Sequence, residues 1–282
     1  MSKVTKLLTK GVQRAPSRDV TIKAAATESS LYVNSVEKAM RVLIAFDGRQ
    51  RQLSLSQIAA ATGLDLSAAQ RFIFTLTTLG YLKKEEETKK YELSPKLLDF
   101  AYHYLASSEL VIRATPYLQH LSQETEEATN LTILDGADIV FVLRIVSRNV
   151  LNPTFLVGTR LPAYCTSPGL AIMSSLTEPE VDLILAKSNL VKHTPNTVTE
   201  PKAIKKRLAE FRQKGYAHTR EEYYIGDVST AAVIKDAQGR PIGAVNVAVT
   251  KARWIDSEDE TRFADLVIST ASAISAQRRQ ES

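Results

Sequence analysis

The sequence is poor in the residues that build disulfide and metal sites. It has one cysteine, Cys165, so no disulfide can close within a single chain and a secreted disulfide scaffold is excluded. The four histidines, His103, His120, His193 and His218, stand far apart and lack the short spacing of a metal-binding motif. We therefore expect no metal site, and we expect Cys165 to be a small buried apolar residue.

Long apolar runs and several familiar catalytic motifs are also missing. No apolar stretch approaches the roughly 18 residues that a transmembrane helix needs, so we expect no membrane partner. The sequence has no G-x-S-x-G elbow, no P-loop and no G-x-G-x-x-G turn. These absences favour a protein that is not an enzyme and that needs no cofactor.

The net charge of +5 is concentrated in the first 27 residues. This segment carries six Lys or Arg side chains and one acid, so its own charge is +5 and the rest of the chain sums to zero. It lacks the periodic apolar residues of a folded core, and we expect residues 1–30 to form a disordered basic tail. Such a tail can add nonspecific affinity for DNA. An acid-poor basic segment is also typical of an organelle transit peptide, which we consider the less favoured alternative.

Residues 55–82 have the spacing of two short helices joined by a tight turn. Ser56 is a candidate N-cap for the first helix, and Gly63 can end it because glycine adopts the left-handed cap at little cost. The second helix is predicted to begin near residues 65–67 and to run to Thr78. Its predicted buried stripe consists of Ala69, Phe72, Ile73, Leu76 and Leu79. This pattern is typical of a helix-turn-helix, whose second helix lies in the DNA major groove.

The other side of this second helix carries small and hydrogen-bonding residues. Gln70 can pair with adenine and Arg71 with guanine or a phosphate, and the small neighbouring residues let a helix sink into the groove. However, any two-helix hairpin shows one apolar and one polar face, so spacing alone leaves DNA binding and a purely structural role equally open. The candidate DNA-binding residues on the two helices are Ser56, Gln57, Ser67, Ala68, Gln70, Arg71 and Thr75.

Two flanking segments complete the order helix, helix, recognition helix and wing. Upstream, residues 33–46 have apolar residues at helical spacing, with Asn34 or Ser35 as the N-cap. Downstream, residues 82–93 are predicted to form a β-hairpin with a charged tip. The lysines on its arms would reach the phosphate backbone, although the acidic tip favours water over DNA. These lysines are Lys83, Lys84, Lys89 and Lys90.

Beyond residue 94 the pattern predicts a linker helix and then an α+β domain. Pro95 suits the first turn of a helix over 94–108, whose predicted apolar face includes Leu98 and Tyr102. Asp135 and Gly136 form a strong hairpin signal, which favours an antiparallel sheet. The predicted helices span 111–125, 170–176, 180–186, 201–214 and 256–277. The predicted strands span 130–134, 139–146, 151–156, 229–235 and 242–249.

Several motifs in a consistent order resemble one known family. The stretches NSVEKAMRVL, the helix-turn-helix ending in LGYL, and YELSPKLLDFA are similar to the winged-helix domain of IclR-type bacterial transcriptional regulators. Residues 158–176 and 215–249 resemble later parts of the same family, so the resemblance covers about residues 31–278. It implies an N-terminal winged helix-turn-helix DNA-binding domain at 31–94, a linker helix at 95–108, and a C-terminal α+β effector-binding and oligomerisation domain at 109–282.

The predicted helix that follows Cys165 offers the best ligand site. Its start, at Thr166 and Ser167, would present free backbone N–H groups that suit a carboxylate, with Tyr164 and Cys165 along one wall. The residues alone favour plain helix capping by these hydroxyl groups. The resemblance instead implies that this helix start borders an effector pocket, over which a loop at 223–229 folds.

Further candidates for ligand contacts lie elsewhere in the C-terminal half. Tyr223 or Tyr224 can stack on an aromatic ring, and Gly226 allows close approach of the backbone. Arg144 and Arg160 can each pair with a carboxylate, although a surface or intradomain ion pair is the more common role for either one. The candidate effector-binding residues are Arg144, Arg160, Tyr164, Cys165, Thr166, Ser167, Gly169, Tyr223, Tyr224, Gly226, Asp227 and Ser229.

The resemblance implies a ligand-responsive, sequence-specific transcriptional regulator of a catabolic operon in the bacterial cytoplasm. The RLPAYCTS stretch is similar to the branch that responds to aromatic acids, so a small aromatic carboxylic acid is the expected effector. The expected partners are a double-stranded DNA operator, a second copy of the chain in a homodimer or homotetramer, and RNA polymerase if the protein is an activator. Thr219 and Ser229 depart from the family pattern, which leaves the ligand's identity open.

Two alternatives remain at this point. The chain can be a small-molecule-binding enzyme that carries a winged helix, or a DNA-binding protein whose C-terminal domain only oligomerises. The sequence does not decide between activator and repressor, and it does not name the operator or the target genes.

Overall fold

The computed structural model describes residues 29–47, 50–148 and 155–276. It divides the chain into two compact units, with the boundary between Ser107 and Ser108, and each is described by itself. The predicted basic tail lies outside the described residues except for its last two positions. Within the described ranges, no helix is both long enough and apolar enough to cross a membrane.

The N-terminal unit is a winged helix. Three helices precede a short antiparallel hairpin, in which Leu82 pairs with Leu93 and Lys84 with Tyr91. A 3-10 turn and one more helix follow the hairpin. The elements are α1 (Asn34–Ile44), α2 (Leu55–Thr62), α3 (Leu66–Thr78), β1 (Leu82–Lys84), β2 (Tyr91–Leu93), the turn Pro95–Leu97, and α4 (Leu98–Ala106).

The caps of α2 and α3 fix the geometry of the helix-turn-helix. Ser54, and not Ser56 as predicted, caps α2, because its hydroxyl accepts the Gln57 N–H while the Gln57 side chain accepts the Ser54 N–H. Gly63 ends α2 in the left-handed conformation, as predicted. Asp65 then caps α3 by accepting the Ala68 N–H at 2.8 Å.

The first helix also begins differently from the prediction. Val33 precedes α1 and makes no side-chain cap, so neither Asn34 nor Ser35 has the predicted capping role. Arg41, near the C-terminal end of α1, donates to the carbonyl oxygen of Thr62 at 3.1 Å. This bond satisfies one of the free carbonyl groups at the end of α2 and ties the two helices together.

A small apolar core holds the three helices and the wing. Ala69, Ile73 and Leu76 of α3 are buried, as predicted, whereas Phe72 is half-buried and Leu79 is 51% exposed. The predicted stripe is therefore too wide at its C-terminal end, where Gly80 turns the chain into the wing. The core cluster consists of Val42, Phe46, Leu53, Ile58, Ile73, Leu76 and Leu82.

The predicted linker helix forms, but its apolar face is not buried. Leu98 and Tyr102 of the predicted apolar face are both exposed, as are Phe100 and Tyr104. Helical spacing identifies which side chains share a face, but it does not show what covers that face.

The C-terminal unit is built on one six-stranded antiparallel sheet with the strand order β5-β4-β3-β8-β7-β6. Five residues in succession, 228–232, are buried in β7, so both faces of the sheet are covered there. The strands are β3 (Ala128–Asp135), β4 (Asp138–Ile145), β5 (Arg160–Pro162), β6 (Ala217–Arg220), β7 (Asp227–Lys235) and β8 (Pro241–Thr250). The helices are α5 (Glu109–Thr125), α6 (Ser167–Ser174), α7 (Glu178–Lys187), α8 (Pro201–Lys214) and α9 (Asp256–Ala276).

The helices pack on the centre of this sheet. The short helix α6 contacts β7 and β8 and carries α8 on its outer side, while α9 contacts β7, β8 and α5. The 3-10 turn Ala163–Cys165 packs very closely on the start of α6, because a Cβ atom on Gly169 would collide with the backbone of Ala163. All residues of α6 are buried, and its first turn therefore lies inside the domain.

Two edge strands were not predicted, and one predicted strand does not form where the structure can test it. Strand β5 has three residues and includes Pro162, and β6 has four, so neither is long enough to give a clear alternating pattern. The strand predicted at 151–156 lies mostly outside the described residues, and Phe155 and Leu156 are not in a strand. The predicted hairpin at Asp135 and Gly136 is present.

Candidate nucleic-acid interface and ligand cavity

The outer face of α3 is exposed and carries no acidic side chain. Ser67, Gln70, Arg71 and Thr75 are exposed, and Ala68 is half-buried near the cap. The Thr75 hydroxyl donates to the Arg71 backbone carbonyl at 2.9 Å, and this bond does not involve the Arg71 guanidinium. This face therefore presents hydrogen-bonding groups and one positive charge to the solvent.

The remaining candidate DNA-binding residues lie around α3. Ser56 and Gln57 are exposed at the start of α2, where Gln57 belongs to the capping box. On the wing, Lys83 and Lys84 are exposed on β1. Lys89 forms a 3.0 Å ion pair with Glu86 at the tip, and Lys90 is half-buried beside β2. The two β1 lysines are thus the wing cations that are best placed for phosphate contacts.

The C-terminal unit contains a cavity between α6, the sheet and the loop before β7. The cavity and its open mouth together enclose about 640 Å³, a figure that includes solvent space outside the cavity. Eight of the twelve candidate effector-binding residues line it: Arg144, Cys165, Thr166, Ser167, Tyr223, Tyr224, Asp227 and Ser229.

A chain of hydrogen bonds crosses the sheet along one side of this cavity. Arg144 donates to the Asn130 side-chain oxygen at 3.1 Å, and Asn130 donates to Asn246 at 3.3 Å. Asn246 donates to the Ser229 hydroxyl at 3.0 Å, which also accepts from Ser167 at 2.6 Å. Strand register brings these residues together, because Asn130 lies opposite both Arg144 and Asn246. The bonds hold five polar side chains in fixed orientations.

Aromatic rings form another part of the lining. The Arg144 guanidinium lies over Phe141 and Phe155, at 5.9 and 5.7 Å from their ring centres. Phe155 in turn contacts Tyr224, and Tyr224 packs edge-on against Tyr223. A cation that is framed by aromatic rings and open to a cavity is well suited to bind an anionic group on a flat apolar ligand.

Burial sets the charge state of the cavity. Desolvation raises the pKa of Asp227 to about 7, although the positive charge of Arg144 opposes this rise. Burial likewise raises the pKa of the Cys165 thiol and lowers the pKa of Arg144. Cys165 is therefore a neutral thiol, as the sequence predicted for a buried cysteine, and is poorly suited to act as a nucleophile.

Neither hydroxyl at the start of α6 caps the helix. Thr166 donates instead to the Pro162 carbonyl at 2.9 Å, and Ser167 is engaged with Ser229. The plain capping role that we weighed for these two residues is thus absent. The first turn of α6 borders the cavity, because Thr166, Ser167 and Pro168 all contribute to the lining. The free backbone N–H groups of a helix belong to its first turn.

Four candidate effector-binding residues lie outside the lining. Arg160 forms ion pairs with acidic residues of the β3–β4 hairpin, and the Tyr164 hydroxyl is bonded to the backbone of Val191. Gly169 is packed against Ala163. Gly226 takes a left-handed conformation, and its N–H donates to Glu221. Each of these residues has a clear structural role.

Sequence reasoning missed several lining residues. Asn246 interrupts the apolar run of β8, and a polar residue in the middle of a buried strand is a usable signal. Asn130 gives a similar but weaker signal, and Thr219 was noted only for its departure from the family pattern. The apolar lining residues gave no separate signal. They are Ile139, Phe141, Phe155, Leu161, Pro168 and Ala248.

Other chemistry finds little support among the residues that the structure describes. No group of three His, Cys, Asp or Glu side chains is placed to hold a metal ion in these ranges. Of the four histidines, His193 contacts Tyr223 and has its pKa lowered by burial, and His218 bonds to Thr230 on β7. They lie in separate environments.

Comparison with known proteins assigns both units. Residues 35–86 match the family model of the IclR helix-turn-helix domain, and residues 102–276 match the model of the bacterial transcriptional regulator IclR C-terminal domain. The chain is 32% identical over 241 residues to the Pca regulon regulatory protein of Pseudomonas putida, which covers 85% of this chain and 82% of that protein. It is 31% identical over 221 residues to the p-hydroxybenzoate hydroxylase transcriptional activator of Acinetobacter baylyi, covering 76% and 80% respectively.

The solved structures agree with this assignment. A Rhodococcus sp. RHA1 protein described as a transcriptional regulator is 34% identical, covers 89% of this chain and 100% of its own, and gives a TM-score of 0.78. The winged helix and the α+β domain therefore occur together, in this order, in related regulators. The chain belongs to the IclR family of bacterial transcriptional regulators.

Proposed function

We propose that this regulator controls a catabolic operon in response to a small aromatic carboxylic acid that binds in the C-terminal cavity. The observation that carries the proposal is the position of Arg144, whose guanidinium is framed by Phe141 and Phe155 and borders the cavity. A carboxylate can pair with the guanidinium while its ring packs against the aromatic side chains. The names of two relatives, a Pca regulon regulator and a p-hydroxybenzoate hydroxylase activator, support the same ligand class.

The proposed DNA contact is made by α3 in the major groove and by the wing on the phosphates. Gln70 and Arg71 would read bases, while Lys83 and Lys84 would supply affinity that does not depend on sequence. The regulator would bind as a homodimer, or as a tetramer of two dimers, to an operator with two-fold symmetry. Exposed apolar residues on α1 and α4, such as Met40 and Phe100, support such self-association.

The effector would act by binding one arrangement of the DNA-binding domains better than another. It can shift the equilibrium only by the difference between its two affinities. If the regulator is an activator, the arrangement that binds DNA would also contact RNA polymerase. The open cavity beside Thr166 favours this scheme over a C-terminal domain that only oligomerises, because such a domain has no need for a cavity lined by an arginine and aromatic rings.

The effector proposal is tested by calorimetry with benzoate and 4-hydroxybenzoate, and with benzamide as a neutral match. We expect the acids to bind and benzamide to bind at least tenfold more weakly, because only the acids pair with Arg144. Arg144→Met should remove the preference for the acids. Arg160→Met is the matched control, since Arg160 lies outside the lining and its loss should leave affinity unchanged. Equal binding of acid and amide to the unmodified protein would contradict the proposed ligand class.

The DNA proposal is tested by titrating the promoter fragment next to its own gene at fixed salt. Arg71→Ala should weaken binding by about 5- to 150-fold, the range that corresponds to one bidentate base contact. Lys83→Ala should weaken binding to specific and nonspecific duplexes alike. It should also reduce the salt dependence of the affinity by about one counterion. Lys192→Ala, an exposed lysine of the C-terminal unit, serves as the charge control. Unchanged affinity of the Arg71 variant would count against the assigned recognition face.

A further inference from the structure

The most exposed apolar side chain of α3 is Phe74, at 71% exposure. It lies one helical turn after Gln70 and three residues after Arg71, on the side opposite the buried Ile73 and Leu76. An aromatic ring in the middle of a polar recognition face is unexplained by the fold, because the core of this unit is complete without it.

The surroundings of Phe74 favour nucleic acid as its contact. Helix α3 contains no acidic residue within its bounds, and Arg71 is its one charged side chain. The exposed lysines of β1 follow directly after α3 in the chain. A surface of this charge matches a phosphate-lined groove, and the apolar group that the major groove presents is the C5-methyl of thymine.

We propose that Phe74 contacts a thymine methyl group in the major groove and thereby reads one base position of the operator. This inference rests on the proposed function, namely that α3 enters the groove. Side chains of a helix lean toward its N-terminus, so the ring covers the turn that carries Gln70 and Arg71. The helix rise places Phe74 about 6 Å beyond Gln70, within about two base pairs of the base that Gln70 would read.

The test removes the methyl group and the ring separately. A duplex is first selected from a random-sequence pool by the full-length protein. Each thymine is then replaced singly by deoxyuridine, which lacks only the methyl, and binding is measured by fluorescence anisotropy at fixed salt. We expect one thymine in each half-site to lose about fourfold in affinity on replacement, as for one buried methyl-sized group.

Two variants of Phe74 complete a double-mutant cycle. The Phe74→Ala variant should bind the thymine duplex more weakly, and its affinity should not change when that thymine is replaced by deoxyuridine. The affinity of the Phe74→Leu variant should keep part of this dependence on the methyl group. Leu183→Ala removes an exposed apolar side chain in the C-terminal unit, and it should leave the deoxyuridine response intact. Thermal melting of each variant checks that the fold is unchanged.

The outcomes separate this inference from the proposed function. If the unmodified protein selects no sequence, the proposed DNA reading fails and the role of Phe74 fails with it. If it selects a duplex, but Phe74→Ala responds to deoxyuridine as the unmodified protein does, only the thymine contact is overturned. An altered oligomeric state of Phe74→Ala with an unchanged thymine response would likewise overturn it, in favour of a protein contact.

Discussion

Asp227 is a partly buried carboxylate whose charged form the fold disfavours, so replacing it should stabilise the C-terminal unit at high pH. It begins β7 at the cavity wall, where desolvation raises its pKa from 3.8 to about 7 and Arg144 only partly opposes this rise. Asp227→Asn keeps the shape of the side chain and removes the charge. We therefore expect the variant to be more stable than the unmodified protein above pH 7.

The magnitude follows from proton linkage. The folded state binds the Asp227 proton more tightly than the unfolded state does, so the contribution of this group to stability is greatest below the unfolded pKa. It is lost as pH rises from about 4 to about 7. A rise of the Asp227 pKa from 3.8 to about 7 corresponds to at most about 4 kcal/mol. Because solvent in the cavity mouth weakens desolvation, we expect a gain of about 1–3 kcal/mol at pH 8, which should shrink toward zero near pH 4.

The assay is urea unfolding at several pH values, followed by tryptophan fluorescence. Trp254 is the sole tryptophan and belongs to the C-terminal unit, where it packs against His218 and Phe263, so the signal reports on this unit. Asp265→Asn, at an exposed aspartate of α9, is the control for an equal change in net charge. A difference between Asp227→Asn and the unmodified protein that is the same at pH 5 and pH 8 would refute the reasoning.

Two further substitutions test local features of the fold. Ser54→Ala should cost about 1 kcal/mol of local stability, because it removes the capping box. Ser56→Ala should cost much less, and hydrogen exchange of the α2 amides will compare the two variants. Equal protection of those amides in both variants would contradict the cap assignment. Gly169→Ala should destabilise the C-terminal unit by about 1–3 kcal/mol, because the added methyl meets the Ala163 backbone. A denaturant unfolding curve that matches that of the unmodified protein would rule out this close approach.

The local sequence pattern was sufficient to predict helices and turns whose start and end signals lie within or beside them. The span of α8 from Pro201 to Lys214 was predicted to the residue, because Pro201 suits a first turn and Gly215 ends the helix in the left-handed conformation. The hairpin at Asp135 and Gly136 was equally clear. In both cases the signal lies within a few residues of the feature that it determines.

The prediction was weaker where two residues competed for one local role. Ser54 and Ser56 both lie at the start of an apolar helix, and their hydroxyl groups lie 3.0 Å apart. Ser54 is the cap because Gln57 follows it by three residues, the spacing at which the side chain of the helix reaches back to the N-cap N–H. The sequence contained this information, but the interpretation placed the N-cap two residues late.

Local sequence patterns did not show which of the candidate residues line the cavity. Arg144 and Arg160 were indistinguishable as candidates, since each is an arginine on or beside a predicted strand. The register of β3 and β4 sets Arg144 opposite Asn130 and so joins it to the polar chain, while Arg160 lies on β5, opposite Val140 and near the acidic end of the hairpin. Their different surroundings arise from pairings between distant segments. A sequence can nominate both arginines, but only the alignment of strands places one of them beside the cavity and the other in ion pairs.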